Sequence, residues 1–199
     1  MPIANGYCTL AEFKAYADIT TTDATDDAFL EDAIEAASRL IDAQTRRHFY
    51  AATETRYFDV PAGQIDDSVL YLDEDLLAVT TLTNGSSGAI TSASYWLLPP
   101  NASPKWGVKL RPSSGLSWDS DTAGDSEQAI SIAGTWGYSS TTPDDIKQAC
   151  LMIANAYRQK RSGQSVEGTT RVTGAGVVIE AGDIPKDAAR LIQGYKKVF

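Results

Sequence analysis

Apolar positions change their period twice along this chain, dividing it into helix, strand and helix again. Thr9-Leu10-Ala11-Glu12 has the form of a capping box, in which the threonine hydroxyl and the glutamate carboxylate satisfy backbone amides left unpaired at a helix start. Leu10, Phe13 and Ala17 follow as a short apolar face. Beyond a Thr- and Asp-rich turn from Thr20 to Asp27, Leu30, Ala33, Ile34, Ala37, Leu40 and Ile41 recur at three- and four-residue spacing. Glu31, Asp32, Glu35, Arg39 and Asp42 fall on the other side. That pattern predicts a long amphipathic helix ending near Arg47 or His48.

From about Thr53 to Tyr138 the period becomes two. Strands are expected at Glu54–Val60, Val69–Leu72, Ala78–Thr83, Ala89–Leu98, Gly107–Arg111 and Ala129–Trp136. Asn84-Gly85 offers the tolerance of positive φ that a tight hairpin needs. Asp73-Glu74-Asp75 reads as a solvated turn, and Pro99-Pro100 and Pro104 mark a loop because proline cannot donate to a ladder. Ile130, Ile132 and Trp136 alternate with small or polar residues, which buries one face of the last strand. Six short strands with turn signals between them predict a small antiparallel sandwich or barrel.

Helix returns at Thr142-Pro143-Asp144-Asp145, where Pro143 suits the first turn and Thr142 can cap it. Ile146, Ala149, Cys150, Ile153 and Tyr157 carry its apolar face to the basic cluster Arg158-Gln159-Lys160-Arg161. Segment 162–182, rich in Gly, Ser and Thr, predicts a mobile tether, whose Val172 and Val177-Val178-Ile179 could pair as a hairpin once covered. A last helix from Pro185 places Ala188, Ile192, Tyr195 and Phe199 on one face and is too short to be stable unless it docks. There is no internal repeat. The fold class expected is therefore α+β: a helical bundle built from residues 1–50 and 141–199, with an antiparallel β domain inserted at 51–140.

Composition adds bounds. The chain has 199 residues, 43% hydrophobic and 22% charged, which suits one folded domain or two small ones. No apolar run approaches the roughly 20 residues of a membrane span, and Met1 to Gly6 lack the parts of a signal peptide, so the chain is expected to stay in the cytosol where it is made. In that reducing setting Cys8 and Cys150 are read as thiols rather than a disulfide, Cys150 as a small core residue. The net charge of −9 argues against a general nucleic-acid binder. The charge is also uneven: residues 1–140 hold 20 acidic and 8 basic side chains, residues 141–199 only 6 acidic and 9 basic. Such asymmetry can orient a protein against a partner of opposite sign.

Candidate chemistry is sparse. His48, the only histidine, follows Arg46-Arg47 at a helix end and is read as structural. One histidine and two distant cysteines support neither a zinc cluster nor a Ser-His-Asp triad. Asp119 to Gly124 opens like a calcium loop but has Ala123 and Ile130 where oxygen ligands belong. Gly174-Ala175-Gly176 lacks the third glycine of a dinucleotide fingerprint. No metal, no cofactor and no enzyme activity are expected. Trp96, Trp106, Trp118 and Trp136 all fall in the β region, where most are expected to be core, although an exposed row would suit a glycan- or receptor-binding module.

Three segments carry a family likeness. Tyr7-Cys8-Thr9-Leu10-Ala11-Glu12-Phe13-Lys14-Ala15-Tyr16, the helix from Asp26-Asp27 to Arg46-Arg47-His48-Phe49-Tyr50, and Gly134-Thr135-Trp136-Gly137-Tyr138 leading to Pro143-Asp144-Asp145-Ile146 occur in an order and spacing that resembles head-to-tail connector (adaptor) proteins of long-tailed bacteriophages. The resemblance implies a non-enzymatic virion protein of the neck, forming a ring, usually of twelve subunits, beneath the portal. One face of that ring binds the portal protein, the other receives the stopper or tail-completion protein, and DNA passes through the channel without specific binding. A stopper or tail-completion role in the same neck is the nearest alternative. Arg190, Ile192, Tyr195, Lys196, Lys197 and Phe199 are then expected to contact the portal, and Ile146, Ile153, Tyr157, Arg158 and Arg161 the neighbouring subunit. Deleting residues 183–199 is expected to abolish portal binding and leave the rest folded.

Overall fold

The computed structural model describes residues 3–61, 68–162 and 184–197. It is mixed α+β and divides into two compact units, residues 1–49 with 142–199 and residues 50–141. The helical unit contains α1 (Leu10–Tyr16), α2 (Asp27–Thr45), α3 (Asp144–Arg161) and α4 (Lys186–Gln193). The β unit contains β1 (Ala52–Phe58), β2 (Val69–Asn84), β3 (Ala89–Ile90), β4 (Tyr95–Leu98), β5 (Lys105–Leu110) and β6 (Ile130–Trp136). The tether, its possible hairpin and Phe199 lie outside the described residues.

The capping box opens α1 as its residue types require: Thr9 Oγ1 accepts from the Glu12 amide at 3.2 Å and the Glu12 carboxylate accepts from the Thr9 amide at 2.8 Å. The other Glu12 oxygen meets Lys147 Nζ of α3 at 2.8 Å, so a local cap also ties α1 to α3. The hydrogen bond from Lys147, and then that from the Thr9 amide, hold the Glu12 carboxyl below its ordinary range. A depressed folded pKa contributes stability that is present above the unfolded value of about 4.3 and lost as pH falls through the folded value. Because the pair is well exposed, solvent screening keeps it small. Glu12→Gln is expected to cost about 0.5–1 kcal/mol at pH 7 and to flatten the loss of stability below about pH 4.5, read by urea titrations across pH.

α2 packs on α3, and α3 on α4. Leu30, Ile34 and Ile41 of α2 and Ile146 and Ile153 of α3 form the buried face that their spacing predicted. Each fully buried side chain of this kind is worth about 1.5–3 kcal/mol. α2 stops at Thr45, ahead of Arg47, because Arg46 turns into the left-handed region with φ 56° and its amide closes on Asp42 O. Pro143 stands just before α3 as the N-cap residue rather than inside its first turn, and Thr142 donates to Phe49 O instead of capping. Cys8 and Cys150 are both buried free thiols with Sγ atoms 3.7 Å apart. The contact with Cys150, reinforced by burial, pushes the Cys8 thiol well above the ordinary thiol range.

The sheet is antiparallel, in the order β1-β6-β2-β5-β4, with β3 paired to β2. Its core gathers Leu70, Leu76, Leu82, Val108, Ile130, Ile132 and Trp136. Two expected strands merge into the single 16-residue β2, and the expected solvated turn Asp73-Glu74-Asp75 is strand. Arg56 of β1 supplies the reason. Its guanidinium reaches Asp73 at 3.3 Å and Glu74 at 3.2 Å, Asp75 is buried with its carbonyl accepting from Gly137, and irregular register absorbs the bend. The expected strand Ala89–Leu98 is interrupted by a 3-10 turn at Ser92–Ser94.

Asn84-Gly85 opens the turn from β2 into β3, as its residue types predict, through a 3-10 turn at Gly85–Ser87. Asn84 is buried, its amide donating to Ser117 O at 2.8 Å and its carbonyl accepting from the Asp119 amide at 3.0 Å. Gly85, at φ +48°, lies so close to the Asp119 carbonyl that a Cβ would meet it at 2.1 Å. The dipeptide thus anchors a crossing segment, which explains both the asparagine and the glycine.

Candidate assembly surfaces

The described residues of each unit line one cleft or groove of note. In the helical unit a cleft of about 330 Å³ is lined by Ile19, Asp23, Asp26, Phe29, Arg158 and Arg161, among others. Arg161 meets Asp26 at 3.3 Å and stacks 4.2 Å over the Phe29 ring, while Asp23 accepts from the Thr25 amide, which holds its carboxyl below the ordinary range. A general acid needs the opposite shift. His48 sits 3.3 Å from the Asp42 carboxylate, which also takes the Tyr7 hydroxyl and Arg39. Burial, and then the bond to Asp42, push the Tyr7 phenol well above its usual range, so it remains a hydrogen-bond donor. Asp121 folds its carboxylate back on the amides of Ala123 and Asp125, closing the would-be calcium loop on itself. Among the described residues no group of three or more His, Cys, Asp or Glu side chains could hold a metal ion.

The residues expected at assembly contacts fall into two groups. Ile146 and Ile153 are fully buried within the subunit, so their side chains have no surface to give a neighbour; periodicity marks the apolar face without saying what covers it. Tyr157 and Arg158 are half-buried and Arg161 is exposed, at the C-terminal end of α3. In the terminal segment Ile192 is buried and Tyr195 stacks edge-on against Phe49 at 5.5 Å, its hydroxyl donating to Asp145 at 3.3 Å. The Lys197 amide donates to Thr45 O at 2.8 Å. The apolar face of α4 is thus covered by its own subunit. Arg190, whose side chain is 80% exposed beside Asp187 at 3.4 Å, and Lys196 point outward.

The four tryptophans of the β unit divide into two pairs. Trp118 and Trp136 are core, but Trp96 and Trp106 are 44% and 37% exposed. Arg111 lies 5.0 Å over the Trp96 ring, and Tyr71 stacks on Trp106 at 5.6 Å. Trp96 and Arg111 line a groove of about 450 Å³ with Lys105 and Leu97. Charge distribution was the usable signal: residues 50–141 hold eleven acidic and four basic side chains, and three of the four bases are Lys105, Lys109 and Arg111.

With these surfaces defined, comparison with known proteins places the chain. A family model described as head completion protein matches residues 7–198. The chain belongs to the head completion protein family. The match includes all three segments that carried the resemblance to head-to-tail connectors. No curated protein sequence matches the chain. Among solved structures, a chain in the neck of an empty gene transfer agent particle computed with C6 symmetry has TM-score 0.58 and 19% identity, covering 100% of this chain and 94% of that one. A chain in the virion of the native gene transfer agent particle gives 0.59 and 16%, again over 100% and 94%. A chain in the neck of the native particle computed with C12 symmetry gives 0.58 and 18%, over 100% and 93%. At these identities the likeness establishes a shared fold for the head completion protein.

Proposed function

We propose that this head completion protein is a structural, non-enzymatic component of the neck of a phage-like virion, forming a closed ring, of twelve subunits, between the portal and the stopper or tail-completion protein. The observation that carries the reading is the family match over residues 7–198, nearly the whole chain. Two solved chains with its fold belong to particle necks computed with cyclic symmetry, C6 and C12. Identical chains make a ring through a heterologous contact that closes, and Tyr157, Arg158 and Arg161 at the end of α3 are the side chains of the helical unit assigned to it. Arg190, Lys196 and Lys197 are assigned to the portal contact. Part of the acidic excess of residues 1–140 faces the channel, repelling DNA phosphates so that the genome slides without sticking.

The glycan-binding alternative needs open indole faces, and one face of both Trp96 and Trp106 is already covered by Arg111 and Tyr71. Native mass measurement of the purified protein, alone and mixed with its portal, tests the proposal. A ring species that co-purifies with portal is the expected result. A persistent monomer that never associates with portal would overturn it.

A further inference from the structure

Resting on the ring reading, we infer that the β unit carries a subunit contact of its own, in which the groove around Trp96 and Arg111 of one copy receives the acidic loop 119–127 of the next. Arg111 is held in place by its own unit. Its Nε donates to Tyr95 O at 3.2 Å, its backbone amide donates to Ser94 O at 2.9 Å, and its guanidinium carbon sits 5.0 Å over the Trp96 ring centre. Its two terminal nitrogens meet no acceptor among the described residues. A planar fork fixed in this way and left open is suited to taking a carboxylate through two parallel hydrogen bonds. Lys105, pinned through Nζ to Pro99 O at 2.6 Å, adds a second positive charge to the groove, and Leu97 and Pro100 give it apolar walls. Exposed Trp and Arg packed together are the residue types that anchor protein interfaces.

The complementary feature lies on the same unit. Residues 119–127 carry Asp119, Asp121, Asp125 and Glu127 and no base. Asp119 and Asp121 are engaged within the loop and with Ser86, whereas the exposed carboxylates of Asp125 and Glu127 accept no hydrogen bond among the described residues. The loop starts at the end of β2, where the Ser86 amide donates to Ser120 O at 2.7 Å, and its end, with Asp125 and Glu127, is fastened beside β1, because the Val60 amide donates to Ser126 O at 2.9 Å and the Gln128 amide to Asp59 at 2.8 Å. In the sheet order β1 is one edge strand and β4, which carries Trp96, is the other. Within a copy, Arg111 meets neither Asp125 nor Glu127 among the described residues. Joined between copies they make a head-to-tail contact, the kind that propagates around a ring. The acidic excess of the unit disfavours a nucleic-acid phosphate as the occupant.

A charge-swap experiment on the full chain, with its portal present, decides the matter. Arg111→Glu, and separately Asp125→Lys with Glu127→Lys, are expected to raise the concentration for half-assembly at least about tenfold, the loss of one charge-assisted pair. Combining all three substitutions is expected to restore assembly toward the wild type. Arg111→Gln, which removes the charge without reversing it, serves as the milder variant, and thermal melts verify folding of each. Rings that assemble normally with Arg111→Glu or Arg111→Gln, or a triple variant that stays as defective as its parents, overturn this contact while leaving the ring reading intact. Normal rings in which Arg111→Glu weakens binding of a duplex DNA probe also overturn it and assign the fork to phosphate. A wild-type chain that forms no ring with or without portal overturns the ring reading itself.

Discussion

Trp136→Ala is expected to destabilise the protein by about 3–5 kcal/mol, the range for deleting a buried aromatic side chain. The indole is almost fully buried at the end of β6, and the side chains around it depend on it in three ways. Phe58 of β1 stacks on it at 6.0 Å, Arg56 lies 5.1 Å over its face, and its Nε1 donates to Glu54 O at 3.2 Å. Arg56 also bridges Glu54, Asp73 and Glu74, so losing the ring loosens a cation that helps an acidic run remain strand. Trp136→Phe keeps most of the packing and loses the hydrogen bond, for an expected cost of about 1–2 kcal/mol. Urea denaturation midpoints of the two variants measure the difference. Equal midpoints for wild type and Trp136→Ala would show that the site collapses without penalty.

Phe49→Ala is expected to cost a similar amount, about 3–5 kcal/mol, and in addition to release the end of the chain. Phe49 is fully buried between the edges of Tyr7 at 5.6 Å and Tyr195 at 5.5 Å, and its amide donates to the Tyr7 hydroxyl at 3.0 Å. Without that ring the segment after α4 has lost its main apolar seat. Hydrogen exchange of amides near Tyr195 should accelerate well beyond that of α3. The same geometry revises the expectation that residues 183–199 can be deleted at no cost to the rest: deletion uncovers Phe49 and removes Ile192 from the core, so lost portal binding would not by itself identify a contact. Arg190→Glu with Lys196→Glu is the cleaner probe. Both side chains are exposed, so stability should stay within about 0.5 kcal/mol while portal binding weakens.

How much was legible in the sequence depended on the range of the interaction concerned. The capping box at Thr9 and Glu12 was legible because both partners lie within one helical turn, and the buried faces of α2, α3 and β6 were legible because burial follows the period of the element. The Asp73-Glu74-Asp75 run was misread because nothing near it in sequence reveals that Arg56, seventeen residues before Asp73, crosses to meet it. Asn84-Gly85 was legible as the turn between two strands, β2 and β3, but its link to residues 117–119 was not, because those residues lie far along the chain. Ile146, Ile153 and Ile192 were legible as apolar faces, and their own subunit buries them, while Tyr195 packs on Phe49 and stays half-buried. A hydrophobic face requires cover but does not name it.

The sequence by itself therefore determined the α+β class, the helix faces, the acidic character of the first 140 residues and, through three soft motifs in order, a family likeness. Those properties are local or additive, and a linear chain records them directly. Only the tertiary structure decided that the terminal helix is seated on Phe49, that two of four tryptophans stay exposed, and that Arg111 is fixed over Trp96 with its fork open. Those properties depend on which distant residues meet, and that is settled by packing many faces at once.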